Sequence, residues 1–120
     1  MTWYRTVFLV WVVIMLAIVV PWGSFQGHAH WQNIGWVPFV SPPVRLRDMV
    51  LNALLYLPFG YWQTKTTGSQ ARWWRIGVNA LAFSLGTEFT QVFSDERFPS
   101  ATDVACNVAG AVWGNMWARR

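Results

Sequence analysis

Charge is what this 120-residue sequence lacks most. Asp, Glu, Lys and Arg make up 12% of it, about half the share of an ordinary soluble domain. Acids are scarcer than bases, five against nine, and no Asp, Glu, Lys or Arg occurs between Arg5 and Arg45. Cysteine is nearly absent as well. Cys106 stands alone, which excludes an internal disulfide and a cysteine-based metal site, and its expected role is that of a small helix-packing residue. The net charge of +4 is spread over segment ends instead of one face. That distribution argues against a nucleic-acid footprint and for membrane topology beside anionic headgroups. The length allows one domain, residues 1–120.

What is present is hydrophobic: 54% of the residues, with ten Trp, a residue that anchors at the water–lipid boundary. The run "VFLVWVVIMLAIVVPW" (Val7 to Trp22), with Thr6, Tyr4 and Trp3, reaches the roughly 20 residues that cross a bilayer. Arg5 is a thin n-region and "PWGSFQGHAH" offers no A-x-A-like site, so the run reads as an uncleaved span, not a signal peptide. Three more apolar stretches follow: Met49 to Trp62, with Pro58 expected to kink it, Trp73 to Phe93, and Ala101 to Trp117. The second and fourth are short and need protein neighbours, tilt or local thinning of the bilayer. The expected fold is all-α, a polytopic membrane helix bundle of about four spans in two hairpin-like halves. Three spans, or a re-entrant second segment, is the alternative.

Residues 23–47 are broken by Gly, Pro and Ser yet carry Trp31, Trp36, Phe39 and Val40, the pattern of a loop on the interface. Its His28 and His30 lack a third ligand nearby, so no metal site or cofactor is expected. With four spans, Arg5, Lys65, Arg72, Arg75, Arg119 and Arg120 share one side, and Arg45, Arg47 and Arg97 the other. The richer side is cytoplasmic, which puts both termini in the cytoplasm of a bacterial inner membrane.

The stretch "EFTQVFSDERFPSATDVACN" (residues 88 to 107) holds Glu88, Asp95, Glu96 and Asp103, four of the five acids. On helices, the spacing predicts that Asp48 and Asn52 share a face, as do Asp103 and Asn107, each pair at the outer end of its span. "RDMVLNALLYLPFG" and "TDVACNVAGAVWG" echo one another, so the chain reads as two similar hairpins. Ser84, Glu88, Gln91 and Asp95 form one stripe. At 1.5 Å rise per residue, these groups fall in one layer beneath the outer surface. Arg97 in the adjoining connector is suited to bind a carboxylate or phosphate. Asp103 falls in the first turn of its span, where a carboxylate can accept from free backbone N–H groups. Asn, Gln and Ser also serve as interhelical glue, and Gly110-x-x-x-Gly114 reads as a close-packing face for another helix, within the chain or in a second copy.

These residues resemble the VanZ-like family of small bacterial membrane proteins. The resemblance lies in "RDMVLNALLYLPFG", "SLGTEFTQ" and "RFPSATDVACNVAGAVWG" and covers about residues 45–115. Tyr56 stands where the family more often has Phe. The resemblance implies a multi-helix envelope protein and an association with low-level resistance to the glycopeptide teicoplanin; it assigns no particular enzymatic activity. The leading expectation is an outward-facing polar pocket for an anionic lipid headgroup or a lipid-linked envelope intermediate. Arg97, with Arg45 or Arg47, would hold the anion. Asp48, Asn52, Gln91, Asp103 and Asn107 would shape the site, and Glu88 would be protonated or paired with Arg97. Intramembrane ionisable groups default to such roles. Two other readings are a membrane-embedded hydrolase or transferase with Glu88 as acid or base and Asp103 orienting a water or hydroxyl, and a structural subunit or small transporter.

Overall fold

The computed structural model describes residues 3–41, 44–94 and 98–120. The protein is all-α: α1 (Trp3–Val19), α2 (Leu46–Thr67), α3 (Trp73–Gln91) and α4 (Ala101–Ala118), with single 3-10 turns at Trp31–Asn33 and Gly68–Gln70. No strand occurs among the described residues. α2 is 22 residues long, well beyond the apolar stretch read from the sequence, because its ends are polar and hydropathy marks only the middle. It runs through Pro58. In its last turns the hydroxyls of Thr64, Thr66 and Thr67 donate to the carbonyls of Gly60, Trp62 and Gln63 at 2.7, 2.9 and 2.9 Å, satisfying polar side chains within the helix itself. Gly68 then stops the helix at φ 73°, a backbone region that costs glycine little.

α1 runs antiparallel to α2. Trp3 and Tyr4 stack on Trp62, Phe8 on Phe59, and the Trp11 indole donates to Leu55 O at 3.0 Å. α2 and α4 lie parallel and touch backbone to backbone. A Cβ placed on Gly60 would meet the Ala111 carbonyl, one on Gly110 the Ala53 carbonyl, and one on Gly114 the Leu57 carbonyl. Small residues permit this approach where no hydrophobic force drives helices together. The glycine face of α4 is therefore filled by α2 of the same chain. α3 runs antiparallel to α4 and closes the bundle over Tyr56, Phe59, Ile76 and Ala80.

At the end of the bundle where α2 and α4 terminate, Asn115 is wholly buried. Its Nδ2 donates to Thr64 Oγ1 and to Ala71 O, both at 2.8 Å, tying α4 to α2 and to the turn after it. Asn115→Ala removes both donations and is expected to cost about 2 kcal/mol, since interhelical hydrogen bonds in such settings are worth roughly 1 kcal/mol each. A thermal melt in detergent measures it.

No helix among the described residues is long and apolar enough to cross a membrane. α1 is apolar but has 17 residues, about 25 Å at 1.5 Å per residue, and the other three interrupt their apolar faces with polar side chains.

Candidate functional site

The starts of α2 and α4 and the ends of α1 and α3 meet at the opposite end of the bundle. Ser100 is the N-cap of α4, its Oγ accepting from the N–H groups of Thr102 at 3.0 Å and Asp103 at 3.4 Å. That leaves Asp103 as the third residue of its helix, not the cap. Asp48 is likewise third in α2, behind Arg45 at the N-cap position. The two acids thus occupy equivalent places in the first turns of two parallel helices.

Between these ends lies a cavity of about 880 Å³, within the size range of ligand pockets. Asp48, Asn52, Glu88, Gln91, Asp103 and Asn107 all line it, from three different helices. Three hydrogen bonds set their positions. Asn52 Nδ2 donates to Asp103 Oδ1 at 2.9 Å, Asn107 Nδ2 to Ser84 Oγ at 2.8 Å, and Gln91 Nε2 to Val19 O at 3.2 Å. Glu88 is buried and accepts from the Ser100 N–H at 2.9 Å, so a carboxylate of α3 steadies the cap of α4. Arg45 also lines the cavity, while Arg47 is not part of the lining. Arg97, Asp95 and Glu96 lie outside the described residues, and so does the expected pairing of Arg97 with Glu88.

Residues 24–41 do more than rest at the boundary. Gln26 N–H donates to Phe93 O, His30 N–H to Val92 O, Gly35 N–H to Pro99 O, and Ala101 N–H to Gly35 O, at 2.6 to 2.8 Å. The Phe39 N–H donates to Thr102 Oγ1 at 2.7 Å, and Ser24 Oγ shares a hydrogen bond with Ser94 Oγ. The loop is sewn across the ends of α3 and α4, bringing Gln32 and Asn33 to the cavity. His28 and His30 stack 4.6 Å apart, and His30 Nε2 is 3.0 Å from Gln26 Oε1. Among the described residues no three His, Cys, Asp or Glu side chains gather as a metal site would need.

A family model described as VanZ/LLP1 matches residues 2–119. The chain belongs to the VanZ/LLP1 family. The match takes in α1 and the capping loop as well as the region of residues 45–115, so the whole cavity, walls and cover, falls within the VanZ/LLP1 unit. Comparison with curated proteins and with solved structures gave no match.

Tyr56 is a cavity residue of this VanZ/LLP1 chain that the sequence reading passed over. The signal was available: Asp48, Asn52 and Tyr56 are successive steps of four on one helix, and such steps share a face. An aromatic within an apolar run, however, reads as core. Ser100 was missed as a cap because Asp103 drew the assignment of the first turn.

A second, larger feature is an apolar groove of about 1280 Å³ along α3 and α4, bounded by Trp31 and Trp36 at one end and Trp73 and Trp113 towards the other. Glu88 and Ser100 line both the groove and the polar cavity.

Proposed function

We propose that this VanZ/LLP1 protein is a multi-pass protein of the bacterial inner membrane, both termini cytoplasmic, whose outward-facing cavity holds the headgroup of an anionic lipid or lipid-linked envelope intermediate. The observation that carries this reading is a polar cavity opening beside an apolar groove, with Glu88 and Ser100 common to both. A molecule with a polar head and a hydrocarbon tail matches such a pair of surfaces, and a wholly water-soluble ligand would leave the groove unused.

The outer surface supports placement in lipid. Trp3, Trp73, Trp74, Trp113 and Trp117 are exposed towards one end of the bundle and Trp22, Trp31 and Trp36 at the other, as in the aromatic belts of membrane proteins. Between them α1 exposes Leu9, Val10, Val13, Ile14 and Ile18, a contiguous patch that water does not favour. The longest dimension is 42 Å, comparable to a bilayer with its headgroups at about 40–45 Å. On this reading the bundle meets lipid as a unit. Asn52 donates to Asp103 and Asn107 Nδ2 to Ser84 Oγ, and tilt or local thinning accommodates the short α1. The teicoplanin-resistance association of the family is consistent with an envelope-lipid ligand.

Arg45 is the cation that the described residues bring to the cavity. Arg45→Ala is expected to weaken retention of an anionic lipid on the order of tenfold, the loss of one charged hydrogen bond, with an unchanged melting midpoint because the side chain is exposed. Native mass spectrometry with phosphatidylglycerol measures it. Failure of the wild-type protein to retain anionic lipid above a neutral one sinks the proposal.

A further inference from the structure

The cavity floor carries a more specific signal. Tyr56 is 1% exposed and Asn107 3%, both line the cavity, and each has a buried polar atom without a hydrogen-bond partner: the Tyr56 hydroxyl and Asn107 Oδ1. Buried polar atoms are rarely left unsatisfied, and an unsatisfied one costs about 1–3 kcal/mol. Thr87 and Ser84 flank the Tyr56 hydroxyl without meeting it in hydrogen-bond geometry; Thr87 Oγ1 donates to Ser84 O, and Ser84 Oγ accepts from Asn107 Nδ2. Ser84 therefore stands next to both orphaned atoms.

One orphan is a phenol that can donate, and the other is an amide oxygen that can only accept. A phosphodiester offers no donor to Asn107 Oδ1. An ammonium offers no acceptor to Tyr56. A hydroxyl group does both. The walls agree: Asp48, Glu88 and Asp103 line the cavity against Arg45, and carboxylates accept from hydroxyls but repel a second anion.

We propose that the floor of the cavity is a hydroxyl-recognition subsite, with Tyr56 donating to, and Asn107 Oδ1 accepting from, a hydroxyl of a polyol lipid headgroup. The subsite rests on the lipid-binding reading above and narrows it: the anion lies at the rim by Arg45 and the hydroxylated part of the headgroup reaches inward. The occupant is a lipid because the apolar groove adjoins the cavity at Glu88 and Ser100.

The test uses the full chain in detergent or nanodiscs and two lipids with identical acyl chains, phosphatidylglycerol and phosphatidic acid, titrated by native mass spectrometry. The wild-type protein is expected to retain phosphatidylglycerol about tenfold more tightly, the equivalent of one to two hydrogen bonds. Tyr56→Phe should remove most of that preference, leave phosphatidic acid unchanged, and keep or raise the melting midpoint, since it deletes a buried hydroxyl that has no partner in the chain. Equal retention of the two lipids by the wild-type protein overturns the subsite and leaves the lipid-binding reading standing. Retention of neither overturns both. Tyr56→Phe weakening both lipids alike overturns the subsite, and displacement of phosphatidylglycerol by an equal concentration of soluble glycerol phosphate overturns the lipid as its occupant.

Discussion

Gly110→Val is expected to yield no folded protein, and Gly110→Ala to cost about 3 kcal/mol or more, the upper end of the usual range for overpacking. A Cβ at Gly110 meets the Ala53 carbonyl, Cα and carbonyl carbon of α2. A side-chain neighbour could rotate away, but a helical backbone can yield only by moving α2 as a whole. That motion would also separate Gly60 from Ala111 and Gly114 from Leu57. It would break the Asn52–Asp103 hydrogen bond of 2.9 Å as well, so the lesion should reach the cavity. The control is Gly86→Ala, where a Cβ meets nothing within 4 Å. Replacing that helical glycine should stabilise by about 0.5–1 kcal/mol. Size-exclusion profiles and thermal melts of the purified variants decide it; a well-folded Gly110→Val protein would show that the α2–α4 contact is not what holds the bundle.

Glu88 should separate a packing role from a charge role. Glu88→Leu leaves the buried Ser100 N–H without its acceptor and is expected to cost about 1–3 kcal/mol, the range for a buried donor left unsatisfied. Glu88→Gln keeps an oxygen in place for that N–H and should hold most of the stability. The melting midpoint distinguishes the two variants. If Glu88→Gln melts like the wild-type protein but no longer retains phosphatidylglycerol, the carboxylate serves the ligand and not merely the fold. Equal and large destabilisation in both variants would instead assign Glu88 to holding the α4 N-terminus.

Much of the helical organisation was legible from local pattern. Apolar stretches bounded by Gly, Pro and charged residues located four helices, because each helix needs only its own 3.6-residue periodicity to be seen. The steps of four from Asp48 to Asn52 and from Asp103 to Asn107 placed those side chains on common faces for the same reason. The ends were less legible. α2 extends to Leu46 and Thr67 because its end turns are polar, which hydropathy does not record, and because Gly68 sets its stop.

The sequence by itself determined an all-helical chain poor in charge, with its acids gathered near the ends of three helices, because composition and periodicity are properties of a single segment. Only the tertiary structure decided which segments meet. It set α4's glycines against α2, and drew residues 24–41 over the ends of α3 and α4. It left the Tyr56 hydroxyl and Asn107 Oδ1 buried at the bottom of a cavity. Each of these depends on contacts between residues far apart in the chain, and a polar atom's want of a partner is set by all its neighbours at once.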